Sequence, residues 1–197
     1  AFLKDDFNAF ETKEIRHLFY LCTTEYYKDI SHSQRADVTV AFPLEKLFNL
    51  MGKVIADNNL HQLRIAETEK FAHVTYFFNG QQQEIFKNED RILVPSPSVS
   101  TYDMQPEMSA YEVTDKLLEA LDAQKYDFIV LNYANPDMVG HTGDFDATVR
   151  ACKVVDDCVG KVVDRVLEND GVVLLTADHG NAETMVDPVT GGIQTAH

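Results

Sequence analysis

The sequence predicts an α/β protein with a mostly parallel central sheet flanked by helices. Asp127–Leu131 and Val172–Leu175 are short, nearly continuous apolar runs, the pattern of parallel strands buried on both faces. Between them, Thr148–Leu167 places Val155, Val159, Val162, Val163 and Val166 along one side of a long amphipathic helix. Helix alternating with buried strand is the pattern of a layered sheet.

The remaining elements follow in chain order. Leu18–Thr23 reads as a strand, and the polar stretch around Ser31–Arg35 as a loop. Val38–Phe42 alternates β-branched and small residues and stops at Pro43. Leu44, Leu47, Phe48, Met51, Val54 and Ile55 keep helical spacing, so a helix is expected over Leu44–Asn58. Leu63–Ile65, Val74–Phe78 and Arg91–Val94 are strand candidates, and Pro95–Ser98 is an extended loop. Met108–Leu121 is expected as a helix, with Val113, Leu117, Leu118 and Leu121 on one side.

Composition narrows the function classes. The 197 residues are 45% hydrophobic and 25% charged, as in soluble globular proteins. A net charge of −15 leaves no basic stripe to neutralise phosphates, which argues against a nucleic-acid partner. No apolar run reaches the length needed to span a bilayer, so no membrane association is expected. Cys22, Cys152 and Cys158 form neither a disulfide framework nor a CxxC pair, which favours a reducing cytoplasm. Cys152 and Cys158 read as small core residues of the long helix. The chain opens on Ala1 rather than Met, as expected of a piece of something longer.

Chemistry concentrates near the end of the chain. Asn135-Pro-Asp-Met-Val-Gly-His-Thr-Gly143 follows the first apolar strand, and Thr176-Ala-Asp-His-Gly-Asn-Ala-Glu183 follows the second. Open α/β sheets build their ligand sites at the carboxyl ends of strands. Asp137 and His141 are four apart, so one helical turn, or a tight loop around Pro136 and Gly140, brings both onto one cation. Asp178 and His179 are adjacent and share a cation only where the chain has left the strand, a departure that Gly180 permits. The bland alternative is a helix-capping Asp beside a surface His. Carboxylates and imidazoles without thiolates suit Mn²⁺ or Zn²⁺, and with His197 five such residues suggest a two-metal centre.

Other residues stay open on pattern alone. Lys70 reads as a solvated helix-end charge or as a local cation that positions a phosphate. His73 is either support for the site or simply packed. Neither a Gly-rich nucleotide loop nor a Gly-x-Ser-x-Gly nucleophile turn occurs.

The two motifs, together with Leu63–Thr75 (LRIAETEKFAHVT), Phe77–Gly80, Glu89–Leu93, Pro95–Pro97 and Tyr102–Ser109 (YDMQPEMS), resemble the cofactor-independent phosphoglycerate mutases of the alkaline phosphatase superfamily. The resemblance runs from about Asp37 to the end. It implies a three-layer alkaline-phosphatase-like fold, present here as an incomplete phosphatase domain. It assigns Asp137, His141 and His197 to one Mn²⁺ and Asp178 and His179 to a second, with Zn²⁺ or Co²⁺ as substitutes. Lys70 becomes a phosphate contact, and the reaction an interconversion of 3-phosphoglycerate and 2-phosphoglycerate through a phosphoserine.

The family's nucleophilic serine, a further metal-binding Asp and the arginine-rich substrate pocket belong to an N-terminal part that finds no counterpart here. Residues 1–44 resemble the tail of the inserted transferase domain, and 45–197 the returning phosphatase portion. The resemblance therefore implies a chain inactive alone and dependent on that N-terminal part. It further implies a cytoplasmic glycolytic isomerase, monomeric at full length. A related phosphomonoesterase or phosphopentomutase would share the metal motifs but not the Lys70 segment. A metal-binding remnant without turnover is the non-enzymatic alternative. Apolar strand faces left uncovered should make the isolated chain poorly soluble or marginally stable.

Overall fold

The computed structural model describes residues 8–11, 15, 17–24, 37–43, 45 and 47–196. The expected Ser31–Arg35 loop, the Leu44 helix start and His197 lie outside the described residues. The chain divides into two compact units, residues 1–48 and 49–197. In the first, β1 (Phe19–Thr24) pairs in parallel with β2 (Asp37–Phe42), and Cys22 is buried.

The second unit is built on three parallel strands in the order β4-β3-β5: β3 (Gln62–Glu67), β4 (Glu89–Val94) and β5 (Phe128–Asn132). Every residue of β3 is buried, because the central strand is covered on both faces. On one face Leu63 and Ile65 pack with Val113 and Leu117 of α3 (Ala110–Asp122) and Val162 of α5 (Phe145–Glu168). Ile129 and Leu131 of β5 join that core. On the other face Gln62 donates to the carbonyl of Gly52 in α1 (Met51–Asp57). Arg64 lies there with its guanidinium 4.5 Å from the Phe78 ring centroid and 5.5 Å from that of Phe128. Sheet between helical layers is the predicted α/β class.

α5 begins where Asp144 accepts from the backbone N–H of Ala147 at 2.7 Å, a side-chain N-cap. Its Cys158 is fully buried as expected, but Cys152 is exposed, which corrects the reading of Cys152 as a core residue.

Three expected elements differ. Asn49 takes a positive φ of 56°, which interrupts helical backbone, so the helix expected from Leu44 runs only over Met51–Asp57. Val74–Phe78, expected as a strand, lies mainly in a π-helical turn (His73–Phe77) that continues directly from α2 (Thr68–Ala72). No chain break separates the two, so the β-branched and aromatic residues stay helical, with Val74 and Thr75 buried. Val172–Leu175, expected as a buried strand, runs as unpaired chain with Val172 85% and Leu174 90% exposed. It and the outer edge of β5 line an open cleft of about 950 Å³ instead of meeting, so its backbone finds no ladder.

Candidate metal centre

The site forms where β3 and β5 end side by side, Ala66 in register with Asn132. Beyond β3 the chain turns into α2, which carries Lys70 inward until its side chain is only 3% exposed. This overturns the solvated reading of that lysine. Beyond β5 it enters α4 (Asn135–Gly140), with Pro near the helix start and Asp137 in the first turn. His141 is the residue that ends this helix, so one turn separates it from Asp137.

Asp137 uses its two oxygens differently. Oδ1 accepts from Asn181 Nδ2 at 2.8 Å and lies 3.1 Å from His141 Nε2. Oδ2 lies 2.7 Å from Lys70 Nζ and 3.8 Å from His179 Nε2. Lys70 Nζ is also 3.0 Å from His179 Nε2 and 3.6 Å from Asp178 Oδ2. The ammonium thus stands among two carboxylates and an imidazole, as a positive charge enclosed by cation ligands.

Asp178 does not arrive on a paired strand. Asn132, the last residue of β5, donates to its Oδ2 at 2.9 Å and ties the second motif to the strand end. Burial pushes the Asp137 carboxyl up, but the Lys70 and Asn181 hydrogen bonds outweigh it and leave the group below the ordinary carboxylate range. Asp178 behaves alike: burial raises it, and Asn132 and the Lys70 charge bring it down overall. Both carboxylates are ionised at neutral pH. Burial and the neighbouring Lys70 charge lower the basicity of His73, which lies beside His179 with ring centroids 6.4 Å apart.

A carbonyl oxygen only accepts and an ammonium only donates, so His179 carries its proton on Nδ1, offered to Gly180 O at 3.1 Å, and leaves Nε2 to accept. His141 faces acceptors at both nitrogens, Thr195 O at 2.6 Å from Nδ1 and Asp137 Oδ1 at 3.1 Å from Nε2. Each Nε2 then points into the site. This second hydrogen bond is what orients metal-ligating histidines. The donor set of ionised carboxylates and oriented imidazole nitrogens therefore fits a divalent cation.

Lys70, Asp137, His141, Asp178 and His179 are brought together, while His197 lies outside the described residues. Sequence reasoning gave no role to Asn132, the last residue of β5, or to Asn181, inside the second motif. A neutral amide has no distinctive spacing, and only the fold shows which carboxylate each one holds.

The chain has known relatives. The chain belongs to the metalloenzyme superfamily, whose sequence pattern matches residues 13–197. Within it, the chain is similar to the 2,3-bisphosphoglycerate-independent phosphoglycerate mutases. The enzyme of that name from Clostridium botulinum (strain ATCC 19397 / Type A) is 58% identical over 191 residues, 97% of this chain and 36% of the relative. That of Acetivibrio thermocellus is 55% identical, over 100% of this chain and 38% of the relative. A crystal structure of Leishmania mexicana phosphoglycerate mutase at low cobalt concentration superposes with a TM-score of 0.75 at 32% identity, covering 98% of this chain and 35% of that one. The chain thus spans little more than a third of the length of these relatives.

Proposed function

We propose that this chain is the metal-binding part of a manganese-dependent phosphoglycerate mutase, interconverting 3-phosphoglycerate and 2-phosphoglycerate through a phosphoserine. The carrying observation is the buried Lys70 ammonium among Asp137, Asp178 and His179 at the ends of adjacent parallel strands. Similarity to phosphoglycerate mutases over the whole chain supports the substrate class.

In this reading Asp137, His141 and His197 hold one cation, and Asp178 and His179 the second. Two Mn²⁺ ions, or Zn²⁺ or Co²⁺ in their place, would supply charge stabilisation for the phosphoryl oxygens and lower the pKa of the attacking hydroxyl. The protein's own contribution is positional. Asn181 and Asn132 fix the rotamers of Asp137 and Asp178, so neither carboxylate rearranges when a substrate arrives. The Lys70 ammonium, held by Asp137, is the buried positive charge that an incoming phosphate meets.

The serine nucleophile and the substrate arginines come, in this proposal, from an N-terminal part of the same polypeptide, with residues 1–44 the tail of the inserted domain. The complete protein is a cytoplasmic monomer of glycolysis and gluconeogenesis, and the 197-residue chain alone is inactive.

Joining the chain to the N-terminal part of a phosphoglycerate mutase and assaying 3-phosphoglycerate with Mn²⁺ tests this. Turnover by the joined protein, none by the chain alone and none after Asp137→Ala is the expected result. Hydrolysis of simple phosphomonoesters without mutase turnover would favour a phosphatase and defeat the proposal.

A further inference from the structure

Glu183 closes the second motif, and its side chain turns back over Gly180 and Asn181. Its Oε2 accepts from the backbone N–H of Asn181 at 2.7 Å. The peptide unit that carries this N–H also carries the carbonyl of Gly180, which takes the Nδ1 proton of His179 at 3.1 Å. That peptide is planar and trans, so fixing its N–H fixes its C=O in the opposite direction. The main chain of Asn181 is held on its other side too, where its carbonyl accepts from the N–H of Thr184 at 3.1 Å. From this anchored backbone the Asn181 amide donates to Asp137 Oδ1 at 2.8 Å and lies 3.3 Å from the Asp137 carbonyl. Gly180 leaves the space for it. A Cβ there would collide with Glu183 Oε1 and stand 2.9 Å from its Cδ, so even a methyl group would drive the carboxylate away.

We propose that Glu183 is a positioning residue whose carboxylate clamps the Gly180–Asn181 peptide, the unit that orients His179 through its C=O and Asp137 through the Asn181 side chain. The assignment rests on the cation-centre reading above and places Glu183 outside the ligand set. Histidines that hold a cation are oriented by a carboxylate, a carbonyl or water on their other nitrogen. Here a carbonyl does so, and a carboxylate stands one peptide behind it. An N–H bonded to a carboxylate polarises its peptide, so the C=O on the far side accepts more strongly. The negative charge of Glu183 thereby supports Nε2 of His179 without occupying a coordination position. One clamp sets His179 and Asp137 together, so loosening it disturbs both.

The test combines Mn²⁺ calorimetry with proton-exchange NMR on the full chain, its Glu183→Ala, Glu183→Gln and Gly180→Ala variants, and the double variant Gly180→Ala with Glu183→Ala. Circular dichroism of each reports folding. Glu183→Ala should weaken Mn²⁺ binding about three- to tenfold, the worth of one hydrogen bond, and Gly180→Ala by a similar factor. The double variant should be no weaker than either single one, because the same clamp is lost only once. Glu183→Gln, whose amide oxygen still accepts, should stay within about twofold of the parent. In the metal-free chain, the Asn181 backbone amide and the His179 Nδ1 proton should both exchange with water faster in Glu183→Ala, and at nearly the parent rate in Glu183→Gln. Glu183→Gln as weak as Glu183→Ala, or additive losses in the double variant, would overturn the clamp. Exchange of either proton left unchanged by Glu183→Ala overturns it as well. If the unaltered chain binds no Mn²⁺, the cation reading falls, and the two exchange rates still decide whether Glu183 holds the peptide.

Discussion

Replacing Lys70 by Met removes the ammonium at the centre of the site and keeps most of its volume. The side chain is 3% exposed and its Asp137 partner 15%, so the charge lost is a buried one. Breaking a buried pair by deleting one partner costs about 3–5 kcal/mol. Asp137 keeps Asn181 and His141, and Asp178 is partly exposed, so the lower end, about 3 kcal/mol, applies. At about 2–4 °C per kcal/mol for a domain of this size, the metal-free variant should melt roughly 6–12 °C below the parent.

Added Mn²⁺ should nearly close the gap, because the parent must displace its ammonium and the variant need not. Saturation at about 100 times the Kd returns about 2.7 kcal/mol, nearly the whole deficit. The acid limb provides an internal control. The Asp137 carboxyl is held below its ordinary value, so its contribution is present above the usual carboxylate pKa. It is lost as the pH falls through the lowered folded value, and the gap between parent and variant should close there. Thermal melts followed by circular dichroism, with chelator and with Mn²⁺, measure all of this. Equal melting temperatures without metal, or a gap that Mn²⁺ leaves unchanged, would refute the picture of an ammonium standing in for a cation.

Two further predictions concern the supports of the site. A Cβ added at Gly140 would stand 2.6 Å from Asn181 Oδ1, so Gly140→Ala should push Asn181 off Asp137. Overpacking of this kind costs about 1–3 kcal/mol, and Mn²⁺ affinity by calorimetry should drop about tenfold or more; unchanged affinity would show that Asn181 does not orient Asp137. Glu67 is buried, burial raises its pKa, and among the described residues only one of its oxygens has a side-chain partner, Ser96 Oγ at 2.9 Å. A raised folded value means that stability falls as pH climbs from the ordinary glutamate pKa through the folded one. Glu67→Gln should therefore be relatively more stable at pH 8 by urea denaturation, with the advantage vanishing below about pH 4; a pH-independent difference would contradict this.

Much of the fold was legible where local and global signals agree. Leu63 and Ile65, the run through Leu131, and the valine face of α5 each carry a pattern that burial alone produces. Asp137 and His141 were legible as a pair because one helical turn fixes their separation. The failures share a cause. Val172–Leu175 has strand composition, but a strand exists only beside another strand, and none reaches it among the described residues. Val74–Phe78 has the same composition and is held helical by its continuity with α2. Pattern alone left Lys70 open between solvent and site; its burial follows from Asp137, 67 residues further along the chain. Arg64 was likewise invisible as a core residue, since only the fold stacks Phe78 and Phe128 against it.

Asp137 joins two neighbourhoods through one rigid group. Its Oδ1 belongs with His141 and Asn181, its Oδ2 with Lys70 and His179. In the proposed two-cation centre, a cation drawing on one oxygen changes the charge the other has to offer, without any turn of the carboxylate. Occupancy on either side therefore alters affinity on the other, and thermodynamic linkage requires the factor to be the same in both directions. Loading such a centre is a correlated event, with half-filled molecules scarcer or commoner than independent sites would give.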